Sequence, residues 1–355
     1  MNINLLDNAE AKQLQQLIIE AEHIVICAHK SPDGDALGSS LAWKSYLNQI
    51  GKTDVTVCMP DAYPDFLQWL PEANTVLRYD KNPEKVQETF NRADLVCCLD
   101  FNQYARVEAM RSTLEGCKAK RILIDHHLEP QTDNAITISQ PNMSSTSEMI
   151  FYIISQLGGY NDMTKDCAQC IYCGMMTDTG GFTYNSTRPE IYFVIGQLLS
   201  KGIDKDNIYN RVFHNYSVNA LRFRAHIIAN KMKVVNELHA SYFIVTKEDM
   251  HRFHFIKGDL EGVVNSPLQI KGLKLNVPEG AFYVFPDVSS FFGKTLRGRT
   301  INNASDFSLY LLEEAGVATV TGEAFGDPKC IRLSYAASEE ELRKAIARIK
   351  ESLQG

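Results

Sequence analysis

Short apolar runs recur through the first part of the chain, and each is followed by polar residues. The first run lies at 23–28 and leads into a turn that Gly34 permits. Similar runs lie at 54–59, 94–100 and 121–127. Uninterrupted apolar runs of this length indicate strands that are buried on both faces. We therefore predict a sheet that contains these four strands.

Apolar positions between and after these runs recur with the period of a helix. The predicted helices cover 9–21, 36–47, 141–157, 166–177, 191–201 and 219–231. Alternating strands and helices are typical of an α/β fold with a parallel sheet. Ser145 and Glu148 have the spacing of a capping box, and the alternative is that the serine hydroxyls and the helix N-terminus there hold a phosphate. Cys167, Cys170 and Cys173 are three residues apart, so on the predicted helix their side chains point in progressively different directions. This favours packing over a metal site.

The first strand is followed by one imidazole and two carboxylates, those of His29, Asp33 and Asp35. A strand, a tight turn and a helix place these side chains at the carboxyl edge of a parallel sheet, where open α/β folds bind ligands. Asp33 and Asp35 are two residues apart in the predicted turn, so we expect both to point into one site. This set suits a divalent cation of the manganese type. An ordinary surface turn is the alternative.

Three later elements end in the same residue types. The residues are Asp100, Asp125, His126, His127 and Asp178. A carboxylate at the tip of an apolar strand costs free energy unless it is paired or coordinating. Asp100 could also cap a helix, and the two imidazoles could be a surface pair. Asp and His from four elements at one edge are what a two-metal hydrolase needs, and the absence of thiolates from the set favours manganese over zinc.

The composition is that of a soluble globular protein. The 355 residues are 45% hydrophobic and 22% charged, which is enough for two or three domains. The net charge of −7 argues against long nucleic acid as a partner. No apolar run is long enough to span a membrane and no signal-peptide pattern is found, so we expect no membrane association and a cytoplasmic location. The nine cysteines fit reduced, buried thiols.

These motifs, in this order, resemble the DHH family of phosphoesterases over about residues 5–272. The name refers to the triplet found here at 125–127. The motif His-x-x-x-Asp-x-Asp at 29–35, Asp100 after a strand, and Asp178 before two glycines match the other family motifs. Within the family the chain is most similar to the nanoRNase branch, which cleaves very short oligoribonucleotides and removes the 3′-phosphate of adenosine 3′,5′-bisphosphate. Residues 261–265 resemble the start of that branch's substrate-binding domain.

The resemblance also implies a role for each residue and two Mn²⁺ ions per chain. One ion would be held by His29, Asp33 and Asp100, and the other by Asp35, Asp100, His126 and Asp178. Asp100 would bridge the ions and take part in catalysis. His127 would contact the phosphate or protonate the leaving oxygen. Asp125 would lie one layer outside the ligands.

The end of the chain departs from this family. The Gly-Gly-Gly-His loop expected of the family's C-terminal domain is not found in the sequence. Instead, 278–286, 310–317, 322–326 and 331–336 together resemble the small domain of class I pyridoxal-phosphate aminotransferases. The cofactor-binding large domain has no counterpart upstream, so we expect no pyridoxal phosphate and no transamination. We predict a junction of two unrelated pieces near 272–276.

These inferences predict a parallel-sheet DHH phosphoesterase lobe followed by a smaller α/β lobe. We expect a catalytic domain at 1–185, a helical connector at 186–233 and a C-terminal lobe at 234–355. Within that lobe, 234–272 would begin the DHH-associated domain and 275–355 would be the aminotransferase-like segment.

The expected function is manganese-dependent hydrolysis of short oligoribonucleotides or of the 3′-phosphate of adenosine 3′,5′-bisphosphate, impaired by the replaced lobe. One alternative is a catalytically inactive, nucleotide-binding remnant. Another is a pyrophosphatase or exopolyphosphatase. The expected partners are the short oligoribonucleotide or nucleotide bisphosphate substrates, and a homodimer is left open.

Overall fold

The chain forms two compact units, residues 1–217 and 218–355, which are described separately below as unit 1 and unit 2. The computed structural model describes residues 3–130, 133–235, 240–256, 258–260, 262–263, 266–267, 283–322, 327–334 and 339–353. The division between the units falls inside the stretch 186–233 that we predict as a connector. The domain boundaries given above stay a prediction.

Unit 1 is built on a six-stranded sheet in which every strand pair is parallel. The strands are β1 (Ile24–Cys27), β2 (Val55–Met59), β3 (Leu77–Arg78), β4 (Leu95–Leu99), β5 (Lys120–Asp125) and β6 (Ile136–Ser139). Their order is β3-β2-β1-β4-β5-β6. The predicted α/β class with a parallel sheet is confirmed. We do not predict β3, which has two residues, or β6, which alternates buried and half-buried positions.

Helices pack around this sheet. The α-helices of unit 1 are α1 (Asn8–Glu20), α2 (Gly34–Gln49), α3 (Pro83–Arg92), α4 (Arg111–Gly116), α5 (Thr146–Gln156), α6 (Lys165–Asp178), α7 (Pro189–Leu199) and α8 (Lys205–Phe213). The predicted start of α2 at residue 36 is wrong, because Asp33 is its N-cap and accepts hydrogen bonds from the backbone N–H groups of Asp35 and Ala36. Asp35 therefore lies in the first turn of α2.

Alternate residues of each central strand bury opposite faces of the sheet. In β1, Ile24 and Ile26 belong to a large apolar cluster that includes the buried faces of α2, α5 and α6. Val25 and Cys27 belong to a smaller cluster on the other face. The nine cysteines are free and buried, which confirms the prediction of reduced thiols that pack in the core. Within the described residues, no helix has the length and apolar character needed to cross a membrane.

Unit 2 consists of helices and short antiparallel sheets. Its elements are α9 (Val218–His226), β7 (Met232–Val235), β8 (Ala240–Phe243), α10 (Lys247–Arg252), β9 (Tyr283–Val284), β10 (Thr295–Leu296), β11 (Arg299–Thr300), α11 (Ala304–Ala315), β12 (Val320–Thr321), β13 (Ile331–Ser334) and α12 (Glu339–Leu353). The strands β12, β13 and β9 form one sheet in that order. The predicted smaller α/β lobe is thereby confirmed. Parts of the motifs at 261–265, 278–286, 322–326 and 331–336 lie outside the described residues.

Candidate active site

The residues singled out by the sequence meet at the carboxyl edge of the sheet in unit 1. The strand order reverses between β1 and β4, and doubly wound folds with this order bind ligands in the crevice at that point. His29 lies two residues after β1, and Asp100 directly follows β4. Asp100 has a φ of 62°, a conformation that is uncommon for a residue other than glycine and that recurs at functional sites. The helical turn that follows, Tyr104–Met110, has Gln103 rather than Asp100 at its N-cap.

His29, Asp33 and Asp100 form the first group of side chains that could hold a metal ion. The Nε2 atom of His29 lies 3.5 Å from Oδ2 of Asp100 and 3.8 Å from Oδ2 of Asp33. Its Nδ1 atom lies 2.8 Å from the carbonyl oxygen of Lys30. A carbonyl only accepts hydrogen bonds, so Nδ1 carries a proton and Nε2 faces the carboxylates.

Asp35, His126 and Asp178 form a second group, and Asp100, His126 and His127 form a third. The Nε2 atom of His126 lies 3.5 Å from Oδ2 of Asp178 and 3.6 Å from Oδ1 of Asp100. Asp100 thus presents Oδ2 to the first group and Oδ1 to the second.

Asp33 and Asp35 lie at the same edge of the sheet but belong to different groups. Asp33 lies at the N-cap of α2 and belongs to the first group, whereas Asp35 lies in the first helical turn and belongs to the second. The two carboxylates diverge because the backbone between them is already helical.

The composition and charge of these groups fit divalent cations. Burial raises the pKa of Asp35 well above its usual value, and neighbouring carboxylates raise it further. Burial alone would lower the pKa of His29, but the attraction of Asp100 and Asp33 outweighs it and raises that pKa to about 9. The separations of 3.5–3.8 Å between imidazole nitrogens and carboxylate oxygens are longer than a hydrogen bond. Bound cations would offset the crowding of negative charge.

His127 is held differently from His126. Its Nδ1 atom lies 2.7 Å from Oδ1 of Asp125, whose Oδ2 accepts a hydrogen bond of 3.0 Å from the His127 backbone N–H. Asp125 is fully buried. Burial opposes the charged form of His127, but Asp125 and Asp100 together raise its pKa. Asp125 therefore orients the ring of His127 and leaves Nε2 available to a ligand.

The start of α5 supports two of the carboxylates, which the sequence reasoning missed. The backbone N–H groups of Thr146 and Ser147 donate hydrogen bonds of 2.6 and 2.8 Å to Asp35. The Thr146 hydroxyl donates a hydrogen bond of 3.0 Å to Oδ1 of Asp100. The run of serines and threonines at 144–147 was the available signal, but it indicates a helix cap or a phosphate site and not support for carboxylates.

The capping box predicted there is half correct. Ser145 is the N-cap and accepts a hydrogen bond from the backbone N–H of Glu148. The Glu148 carboxylate does not return to Ser145. It accepts hydrogen bonds from the backbone N–H and hydroxyl of Ser144 and from Arg188. Glu148 and Arg188 are thus two further residues of the site region that the sequence reasoning missed.

Comparison with known proteins shows which family unit 1 is similar to. The N-terminal domain of the DHH family matches residues 23–175. The bifunctional oligoribonuclease and PAP phosphatase NrnA of Thermus thermophilus is 31% identical over 189 residues, which are 53% of this chain and 53% of that protein. The crystal structure of an exopolyphosphatase-related protein from Bacteroides fragilis is 37% identical, with a TM-score of 0.79, and the match covers 99% of this chain and 97% of that one.

A different family matches the remainder of the chain. Aminotransferase class I and II matches residues 217–349. That match begins upstream of the predicted junction at 272–276 and at the boundary between the two units. The bifunctional aspartate aminotransferase and glutamate/aspartate-prephenate aminotransferase of Petunia hybrida is 49% identical over 92 residues.

The aminotransferase match is a partial one. The chain spans about a fifth of the Petunia protein's length and about half of the Thermus protein's length. Both resemblances stated from the sequence are confirmed by these matches. The chain therefore belongs to the DHH family and carries, after its DHH domain, a region similar to class I and II aminotransferases.

Proposed function

We propose that this protein is a metal-dependent phosphoesterase with two divalent cations at the carboxyl edge of the sheet in unit 1. The observation that carries the proposal is that Asp100 faces His29 with one carboxylate oxygen and His126 with the other. A carboxylate in this position suits a ligand shared by two ions. His29 and Asp33 complete one proposed set of ligands, and Asp35, His126 and Asp178 complete the other.

The chain's own residues would divide the work of hydrolysis. When bound, the cations would polarise the phosphoryl oxygens and lower the pKa of a bound water. Asp125 holds the ring of His127 so that Nε2 is free to contact a phosphate oxygen or to donate a proton to the leaving oxygen. Backbone carbonyls fix the Nδ1 protons of His29 and His126 and so leave both Nε2 atoms available as ligands.

The proposed substrates are short oligoribonucleotides and adenosine 3′,5′-bisphosphate. The family motifs support this substrate class, as does the similarity to a protein described as an oligoribonuclease and PAP phosphatase. Manganese is the proposed metal, because the groups contain only imidazoles and carboxylates. We propose weakened activity, since the usual substrate-gripping loop is replaced. We also propose no transamination, since a DHH domain and not a cofactor-binding large domain precedes the aminotransferase-like region.

The experiment is phosphate release from adenosine 3′,5′-bisphosphate by the full chain with Mn²⁺, beside a sample treated with chelator. Metal-dependent release that is lost in Asp100→Asn supports the proposal. Unchanged turnover in that variant contradicts the two-metal assignment. A folded chain that binds Mn²⁺ and a nucleotide without releasing phosphate supports the inactive, nucleotide-binding alternative instead.

A second candidate function is hydrolysis of inorganic polyphosphate or pyrophosphate. The observation in its favour is the match over almost the whole chain to a protein described as exopolyphosphatase-related. The same ligand groups would serve this reaction, so only the substrate separates the candidates. Parallel assays with pyrophosphate, polyphosphate and a diribonucleotide decide between them, and the substrate with the higher kcat/KM identifies the function.

A further inference from the structure

We propose that the ion pair of buried Glu148 and half-buried Arg188 is a positioning device, which holds residues 143–147 against three of the proposed metal ligands. The inference rests on the proposed function, because the positions of those ligands matter only if they bind metal. Neither Glu148 nor Arg188 belongs to any of the three groups of side chains that could hold a metal ion. Their contacts connect them to all three groups.

The ion pair itself is tightly made. Glu148 has no exposed surface, and Nη2 of Arg188 lies 2.6 Å from each of its two carboxylate oxygens. Arg188 directly precedes α7, so the pair joins the start of α5 to the start of α7. A buried carboxylate without its partner is strongly disfavoured. The guanidinium of Arg188 therefore keeps the Glu148 side chain in this orientation.

Glu148 in turn fixes the residues that precede α5. Its Oε2 atom accepts hydrogen bonds from the backbone N–H and the hydroxyl of Ser144, both of 2.8 Å. Nη2 of Arg188 also lies 3.6 Å from the sulfur of Met143. Both Met143 and Ser144 are buried. The ion pair thus anchors two consecutive residues of the segment 143–147.

The same segment contacts three proposed ligands. The carbonyl oxygen of Met143 lies 3.3 Å from Nδ1 of His126, and it can only accept, so it holds the proton on Nδ1 and leaves Nε2 free. Thr146 and Ser147 hold Asp35 and Asp100 through the hydrogen bonds described above. Partners that orient a metal ligand in this way typically change metal affinity about 10–100-fold when they are removed.

The test is a calorimetric Mn²⁺ titration of the full chain and of three variants. Arg188→Met removes the partner of Glu148, and we expect its Mn²⁺ affinity to fall about 10–100-fold. Arg188→Lys keeps a nitrogen that can reach both oxygens, as the single Nη2 atom does, and we expect it to restore most of the affinity. Arg111→Met is the matched control, because Arg111 pairs with Glu115 on the surface, and its affinity should be unchanged.

A purely structural role of the ion pair gives a different result. It would lower the urea midpoint of Arg188→Met while Mn²⁺ affinity stays as in the wild type, and that outcome overturns the inference. If Arg188→Met fails to fold, Glu148→Gln replaces it, since its amide keeps the size of the side chain and still accepts from Ser144. Wild-type affinity in a folded Glu148→Gln variant also overturns the inference.

The same data separate this inference from the proposed function. A wild-type chain that binds no Mn²⁺ overturns the proposed function, and the inference falls with it. A wild-type chain that binds Mn²⁺ as tightly as the folded Arg188→Met variant overturns the inference alone. Weaker binding in Arg188→Met, with recovery in Arg188→Lys, supports both.

Discussion

Oδ1 of Asp100 lies 3.6 Å from Nε2 of His126. The contact joins the end of β4 to the residue after β5, and the other oxygen of Asp100 faces His29. We expect Asp100→Asn to weaken Mn²⁺ binding at both sets of ligands, because the amide keeps the shape but loses the charge and one oxygen ligand. The decrease in kcat should be larger than the loss of about 10–100-fold that is typical when a residue supporting a metal ligand is removed.

Metal content by mass spectrometry and phosphate release measure this effect. Asp162→Asn, an exposed position in the same unit, is the matched control and should resemble the wild type. Two ions retained by Asp100→Asn would refute the shared-ligand role.

Substitutions of the adjacent residues His126 and His127 should affect metal binding and turnover differently. His126→Asn removes a ligand, so both bound metal and activity should fall. His127→Asn should keep the metal and lose about 10²–10⁴-fold in kcat, the range of a positioned acid or base. Metal content and kcat, measured on both variants, test the division of roles. Equal loss of metal from both variants would show that His127 is a ligand instead.

Removal of metal should destabilise the folded chain. Without cations, burial and neighbouring carboxylates raise the pKa of Asp35 well above its usual value. A cation that binds only the folded state raises the free energy of unfolding by about 2.7 kcal/mol when its concentration is one hundred times its Kd. We expect the thermal midpoint to fall on chelation and to recover with Mn²⁺. Asp100→Asn should show a smaller response, and an equal response would mean that the stabilising ion binds elsewhere.

Gly174 should tolerate no side chain. A Cβ atom at this position of α6 would lie 2.0 Å from Oγ of Ser147 and 2.8 Å from Oδ1 of Asp35. We expect Gly174→Ala to destabilise unit 1 by about 1–3 kcal/mol, as overpacking does, and to weaken metal binding. Gly196→Ala is the control, since a Cβ there meets nothing within 4 Å and should stabilise α7 by about 0.5–1 kcal/mol. Urea denaturation compares them, and similar effects of both changes would contradict the predicted clash.

Asp249 should make the stability of unit 2 depend on pH. Its carboxylate accepts hydrogen bonds from the Thr246 hydroxyl and backbone N–H and lies 2.8 Å from Nζ of Lys231. The Lys231 contact lowers its pKa, burial opposes this, and Thr246 lowers it further. A lowered folded-state pKa adds stability above the unfolded value of about 3.9, and this stability is lost as pH falls below it.

Asp249→Asn should therefore destabilise the chain by about 1–3 kcal/mol at neutral pH and reduce the loss of stability on acidification. Urea denaturation from pH 7 to pH 3 measures both effects. Glu351 is an exposed residue of α12 in the same unit, so Glu351→Gln provides a comparison. An acid response in Asp249→Asn equal to that of the wild type would contradict the assignment.

Much of unit 1 could be predicted from the sequence, because its central strands are buried on both faces. β1, β4 and β5 are continuous apolar runs, and an imidazole or carboxylate follows each of them. Short elements escaped prediction where the pattern was weak. β3 in unit 1 and β12 in unit 2 have only two residues each.

The sequence by itself determined the types of chemical group at the edge of the sheet and the two families present. Motif order and apolar runs are local features, so they can be recognised without coordinates. The family resemblance already implied which residues share each ion. Only the tertiary structure decided the geometry, in which Asp100 faces His29 with one carboxylate oxygen and His126 with the other. It also decided that Glu148 pairs with Arg188 rather than with the helix cap. The Glu148–Arg188 and Thr146–Asp100 contacts join residues 40 and 46 positions apart, and the sheet order and the packing of α5, not local spacing, bring them together.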